Sequence, residues 1–231
     1  MALGLYKMCD RYPNQPCKRF VVENSQEGCP MISMYKIKPR FQQLLKPLLN
    51  MFYKVGFTAN GITWTAILFS AVIGSLLWFF PNGHMLWIFP VALLMRMVLN
   101  ALDGMMAKTY NMTSAAGEML NELGDVISDA VMFFPLIKLT GVNLWCVLLF
   151  IFLATLNEFI GVLTKAATGT RRYDGPMGKS DRALVLALTC LLFFFFPQIR
   201  VAFNYIFAGM GLLLLLSSAI RIKNGLSQVG G

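Results

Sequence analysis

The chain has 231 residues, 57% of them hydrophobic, and a mean hydropathy of +0.61, which excludes a large water-soluble domain. Its formal net charge is +9, from 20 Lys and Arg against 11 Asp and Glu. The placement of those charges points to anionic lipid headgroups as the partner of the basic surface, with no nucleic acid expected.

Residues 1–33 are polar, mixed in charge and contain Cys9, Cys17 and Cys29. Their spacing fits no common zinc pattern, and a cytoplasmic location argues against a disulfide. A poorly ordered extension, or a start at Met31 or Met34, is the expected reading. No apolar core follows the basic N-terminus, so no cleavable signal peptide is expected. Residues 34–57, MYKIKPRFQQLLKPLLNMFYKVGF, mix basic and apolar side chains. They suit an interfacial amphipathic helix, limited or kinked at Pro39 and Pro47.

A bilayer core takes about 20 apolar residues per helix. Six segments qualify, near 60–80, 85–107, 116–138, 142–165, 181–196 and 201–221. The fifth is short and ends at Pro197. The expected fold is therefore all-α: six transmembrane helices over 58–224, an N-terminal interfacial helix and a tail from 225 to 231. Of the 20 Lys and Arg, nine precede residue 58 and five lie in 165–182. Lys108 follows the second segment, while Arg221 and Lys223 follow the sixth. With the N-terminus inside, those seventeen share one side, and only Lys138 and Arg200 lie opposite. That positive-inside pattern places both termini in the cytoplasm. His84 belongs to a turn on the far side, Cys146 and Cys190 to packing, and Phe193–Phe196 to a lipid-facing surface.

Residues 100–125, NALDGMMAKTYNMTSAAGEMLNELGD, hold the chemistry. Asn100 and Asp103 are one helical turn apart, with Gly104 and Ala107 keeping the surface low. Gly117, Asn121 and Asp125 recur every four residues along one face of the next helix. Two facing helices carrying oxygen ligands and no bulky side chains form a niche for hard cations and a phosphate-bearing ligand. Helix-end polar groups can simply meet the membrane interface, but that role needs no fixed spacing with small residues.

Other polar groups surround this stretch. Arg96, one turn before Asn100, either pairs with a carboxylate or contacts a phosphate. Asp129, one turn beyond Asp125, is an outer-shell carboxylate or a hydrogen-bonded helix residue, and Glu118 and Glu122 flank its face. Glu158 lies two turns inside the fourth segment, where it either recognises an amine or hydroxyl headgroup or pairs with Arg96. The loop RRYDGPMGKSDRAL, residues 171–184, brings Arg171, Arg172, Lys179 and Arg182 to the same membrane face. Lys179 and Arg182 are candidate ligands for a lipid phosphate or a phosphorylated acceptor. Asn60, in Thr58-Ala59-Asn60-Gly61-Ile62-Thr63, is a good helix N-cap.

Residues 100–125 resemble the signature of the CDP-alcohol phosphotransferases, D-x-x-D-G-x-x-A-R-x8-G-x-x-x-D-x-x-x-D. Asp103, Gly104, Ala107, Gly117 and Asp125 match it, and the eight-residue gap after Lys108 is right. Asn100 and Asn121 stand where the family has Asp, and Lys108 where it has Arg. Residues 58–63 are similar to the family's P-N-x-x-T entry, with Ala59 for Pro.

The resemblance implies transfer of a phosphatidyl group from a CDP-diacylglycerol-like donor to a small alcohol or phosphorylated alcohol, releasing CMP. It implies Mg²⁺ or Mn²⁺, one or two ions, held by Asn100, Asp103, Asn121 and Asp125, with Asp125 also the general base. Contacts to the CDP moiety fall to Asn60, Asp103, Gly104, Ala107, Lys108 and Gly117. A homodimer in a bacterial inner membrane, with a cytoplasmic active site, completes the expectation. Each Asn removes a negative charge, so weaker binding of a second metal, or its retention by substrate phosphates, follows. A catalytically silent lipid-binding protein is the rival reading. A transporter would call for midplane helix breaks and internal repeats, and no clear repeat is present.

Overall fold

The computed structural model describes residues 38–81, 85–199 and 201–229. The expectations for residues 1–37, His84 and Arg200 concern residues outside these ranges. Seven α-helices make up the described chain: α1 Lys38–Lys54, α2 Ala59–Phe79, α3 Met85–Thr109, α4 Ala115–Phe133, α5 Leu144–Thr168, α6 Lys179–Phe195 and α7 Ala202–Val229. Four of them, α2, α3, α5 and α7, are long and apolar enough to cross a membrane. The expected third segment is divided: α4 stops at Phe133 and residues Phe134–Lys138 continue as a 3-10 turn with Pro135 at its start. The tail expected from residue 225 is helical to Val229.

Local chemistry sets the helix starts. Thr58, not Asn60, caps α2, because its Oγ1 accepts from Gly61 N at 3.1 Å. Ser114 Oγ takes Gly117 N at 3.0 Å to open α4, and Asn143 Oδ1 takes Trp145 N at 2.9 Å to open α5. These side-chain oxygens satisfy amides that have no partner within the helix. Gly169 ends α5 at φ +76°, a conformation suited to glycine. Pro47 lies inside α1 without ending it.

The principal packing partners are α5 with α7, α2 with α3 and with α4, and α3 with α6. Phe89, Leu93, Phe133, Phe150, Phe193, Phe203 and Phe207 form the centre of one apolar core. Phe193 is thus a core residue that packs on Phe203, whereas Phe194–Phe196 keep the exposed character expected of them. A second cluster holds α1 against α2 and α3 through Leu45, Leu49, Ala59, Ile62, Leu102, Met105 and Met106. Trp64, Leu68, Val72, Phe152, Phe159 and Leu212 are all more than half exposed, an apolar exterior that lipid or a partner must cover.

Candidate active site

Successive helices alternate in direction, so α2, α4 and α6 begin at the end of the bundle where α3, α5 and α7 finish. The polar residues gather at that end. Residues 110–114 make the turn from α3 to α4, with Asn111 at φ +54°, a left-handed conformation that Asn tolerates better than most side chains. The turn returns the chain so that Asn100 Nδ2 donates to Asp125 Oδ1 at 2.5 Å. Asp103, 3% exposed, accepts from Thr63 Oγ1 at 3.1 Å and from Gly104 N at 2.6 Å. Asn100, Asp103 and Asp125 therefore come together, with half-buried Asn121 one turn before Asp125.

The niche has a third wall. α2 packs on both α3 and α4, and Thr63 brings its hydroxyl to Asp103. Sequence reasoning did not give Thr63 a role, although it is the closing Thr of the N-x-x-T entry. Small residues permit the close approach. A Cβ on Gly124 would lie 2.9 Å from Ile67 Cδ1, and one on Gly117 would lie 2.7 Å from Asn60 Oδ1. Gly117 thus makes room for the carboxamide of exposed Asn60. Gly104 differs, because a Cβ there would meet no heavy atom within 4 Å. The helix surface beside Asp103 faces open space. Ala107 is half-buried against the α1 cluster, and Lys108 is exposed.

An ion-pair network extends inward from the niche. Lys179 Nζ bonds the Asp125 carboxylate and lies 3.9 Å from Glu122 and 3.6 Å from Glu158. Arg96, 3% exposed, pairs with Asp129 and donates to the Asp125 backbone carbonyl at 3.0 Å. Arg182 Nη2 bridges Asp129 at 2.8 Å and Glu158 at 3.1 Å. Arg171 joins Glu122 and reaches Glu158 at 2.8 Å.

Several sequence-based assignments change on this geometry. Arg182 has no exposed surface, so it holds the helices together where an anion-binding role was expected. Glu158 pairs with Arg171 and Arg182 and not with Arg96. Of the two roles open to Asp129, outer-shell carboxylate or hydrogen-bonded helix residue, the structure shows the second, with the guanidinium groups of Arg96 and Arg182 on its carboxylate. Arg221, expected to follow the last membrane segment, is buried within α7 and donates to the backbone carbonyls of Asn157 and Asp174 at 2.7 and 3.0 Å. Those bonds fasten the 169–178 loop to α7. Gly175, at φ +107°, leaves the space that Ser217 fills.

The donor set around the niche is two carboxylates and two carboxamides, hard oxygen ligands suited to Mg²⁺ or Mn²⁺. Among the described residues no cluster of three or more His, Cys, Asp or Glu could hold a metal, so any ion here must use the carboxamides or ligand oxygens as well. With open space over Gly104, Asp103 and Asp125 fit a cation that also touches a bound ligand.

Known proteins share this fold. A family model described as CDP-alcohol phosphatidyltransferase matches residues 57–217. The inner membrane protein YnbA of Escherichia coli is 40% identical over 193 residues, covering 84% of this chain and 96% of that one. Among solved structures, the phosphatidylinositol phosphate synthase PgsA1 of Mycobacterium tuberculosis with CDP-DAG bound superposes with a TM-score of 0.66 at 16% identity, over 79% of this chain and 94% of that one. The same enzyme in complex with manganese and citrate gives 0.65 at 17% identity, over 78% and 88%. The family match spans the entry to α2, the α3–α4 niche and most of α7, so the signature residues and the fold that carries them point the same way: the chain belongs to the CDP-alcohol phosphatidyltransferases.

Proposed function

We propose that the protein transfers a phosphatidyl group from a CDP-diacylglycerol-like donor to a hydroxyl acceptor at the cytoplasmic face of a bacterial inner membrane, releasing CMP. The observation that carries this reading is the Asn100–Asp125 bridge beside Asp103, open to a ligand over Gly104. The structurally similar PgsA1 binds CDP-DAG and forms a manganese complex, and the E. coli relative is an inner membrane protein. Both support the donor, metal and membrane assignments.

Asp103 and Asp125, with the carboxamide oxygens of Asn100 and Asn121, would hold Mg²⁺ or Mn²⁺. Bound there, the ion would neutralise the pyrophosphate and polarise the phosphoryl oxygen. Thr63 and Gly104 N fix the Asp103 carboxylate by hydrogen bonds, which lowers the reorganisation needed when the donor arrives. Gly104 lets the nucleotide approach the backbone. Asp125 takes the proton from the acceptor hydroxyl as that oxygen attacks phosphorus and the bond to the CMP oxygen breaks. Asn100 orients the Asp125 carboxylate for this step.

The test is CMP release by purified protein in lipid nanodiscs, supplied with CDP-diacylglycerol, Mg²⁺ or Mn²⁺ and a panel of alcohols. Metal-dependent release that rises with one acceptor, and falls by at least about 100-fold in Asp125→Asn, is expected for loss of a general base. A second reading has its own observation: both Asp125 oxygens already accept donors, from Asn100 and Lys179. Tight metal-assisted binding of CDP-diacylglycerol without turnover on any acceptor would make this a lipid-binding member of the family.

A further inference from the structure

Transfer to a hydroxyl needs an acceptor beside Asp125. Glu122 stands about one helical turn before Asp125 on α4, at a position the family signature leaves open. Arg96, Arg171, Lys179, Arg182 and Arg221 crowd the same end of the bundle. Arg96, Arg182 and Arg221 are 3%, 0% and 2% exposed. All three are engaged inside the protein: Arg96 and Arg182 by Asp129, Arg182 also by Glu158, and Arg221 by backbone carbonyls. A ligand would have to unpack the helices to reach them. Arg171 and Lys179 do come to the surface, with side chains 9% and 27% exposed.

Both of these meet Glu122, whose side chain is 20% exposed. Arg171 pairs with it, and Lys179 lies 3.9 Å from it while bonding Asp125. Behind them, Glu158 takes Arg171 at 2.8 Å and stands 3.6 Å from Lys179. The five cations thus face five carboxylates, Asp103, Glu122, Asp125, Asp129 and Glu158. The reachable wall, Arg171 and Lys179 against Glu122 and Asp125, is itself neutral. A phosphate entering here would find each accessible cation already matched and would lie against the Glu122 carboxylate, a like-charge contact that opposes binding. An alcohol without net charge meets no such repulsion. Its further hydroxyls can accept from the ammonium and guanidinium groups and donate to Glu122. In a zwitterion, an ammonium would take Glu122 and a carboxylate Arg171.

We propose that Glu122 determines acceptor specificity, closing the Arg171–Lys179 wall to phosphorylated alcohols and selecting a small polyhydroxy or zwitterionic alcohol of no net charge. The inference rests on the phosphatidyl-transfer reading above and names the acceptor class for it. Glu122 acts on recognition of the acceptor and leaves proton removal to Asp125, so its effect belongs in the acceptor KM.

The test compares acceptors for the full-length protein in nanodiscs with CDP-diacylglycerol and Mn²⁺: glycerol, inositol and serine against glycerol phosphate and inositol phosphate. Wild type is expected to use one of the first three at least about tenfold better in kcat/KM than either phosphorylated alcohol, the discrimination that a like charge imposes. Which of the three it uses separates a polyol from a zwitterion. Glu122→Gln should lower KM for the phosphorylated alcohols by about tenfold at similar kcat, because a repelling charge a few ångströms away is gone. Glu122→Asp should keep the wild-type order. A wild-type preference for a phosphorylated alcohol, or a Glu122→Gln loss shared equally by every acceptor, overturns the assignment. Calorimetric titration with inorganic phosphate decides independently of turnover: Glu122→Gln should bind it at least about tenfold more tightly than wild type, and equal affinity overturns the assignment. Should Glu122→Gln fail to fold, saturable phosphate binding by wild type overturns it instead. If no acceptor releases CMP but the phosphate difference holds, the transfer reading fails and the exclusion of phosphate by Glu122 stands.

Discussion

Complete burial of Arg182 is tolerable because Asp129 and Glu158 bracket one of its nitrogens, while its Nε and Nη1 have no hydrogen-bond partner. Nearly all the compensation for desolvating this guanidinium therefore comes from two carboxylates. Removing one side of a buried pair costs about 3–5 kcal/mol, since the other charge is left behind. Arg182→Met should lose stability of that order in detergent unfolding, and adding Glu158→Gln should recover part of it, the coupling expected of neighbours. The ion pair between Lys165 and Glu118 is the control, with side chains 36% and 56% exposed. Lys165→Ala should cost no more than about 1 kcal/mol. Equal losses at the two sites would contradict the account of the network. The sequence made these charges visible as types but not as pairs. Glu158 and Arg182 lie on different helices, joined by a loop whose path depends on Arg221 and Gly175, so no periodicity reports their contact.

At the scale of the helix, the glycines separate into two roles that their spacing could not distinguish. Gly74 and Gly124 sit where α2 meets α4; a Cβ on Gly74 would collide with the Val131 backbone carbonyl, and one on Gly124 with the flexible end of Ile67. Gly104 faces open space. Overpacking typically costs about 1–3 kcal/mol, so Gly74→Val should unfold at lower temperature than wild type and Gly124→Ala should fall between them. Gly104→Ala should be neutral or stabilising by up to about 1 kcal/mol, because alanine favours the helix. Its defect should appear as weaker CDP-diacylglycerol binding. A Gly104→Ala protein that loses stability but keeps donor affinity would move Gly104 into the packing class. The signature's fixed intervals made α3 and α4 legible in advance. The contribution of α2 was less so, because Thr63 reaches Asp103 across forty residues of chain and only the three-dimensional packing selects that hydroxyl from others in the same helix.

For the whole molecule, the question is how many of the helices cross the membrane. α2, α3, α5 and α7 meet the requirement of length and apolarity. α6 has 17 residues, about 25 Å at 1.5 Å per residue, somewhat less than a typical hydrocarbon core of about 30 Å. α4 carries Asp125 of the niche, together with Glu122 and Asp129, and is followed by a 3-10 turn. Both nevertheless pack on spanning neighbours, α4 on α2 and α6 on α3. The buried faces of α4 and α6 satisfy their charged residues with ion pairs, so charge alone is no obstacle to crossing. We therefore expect six crossings, with the niche and the basic 169–178 loop inside. Single cysteines at Thr140, Tyr173, Phe196 and Ser227, all exposed positions, test this in a background lacking the native cysteines. A membrane-impermeant maleimide applied to intact spheroplasts should label positions 140 and 196, and should reach 173 and 227 only after lysis. If 196 is instead protected together with 173, α6 does not cross, and the 169–178 loop cannot be joined to α7 in the orientation the positive-inside pattern requires. If 173 labels from outside, the niche opens away from the cytoplasm, where CDP-linked donors would have to be supplied, and the proposed direction of the reaction site fails with it.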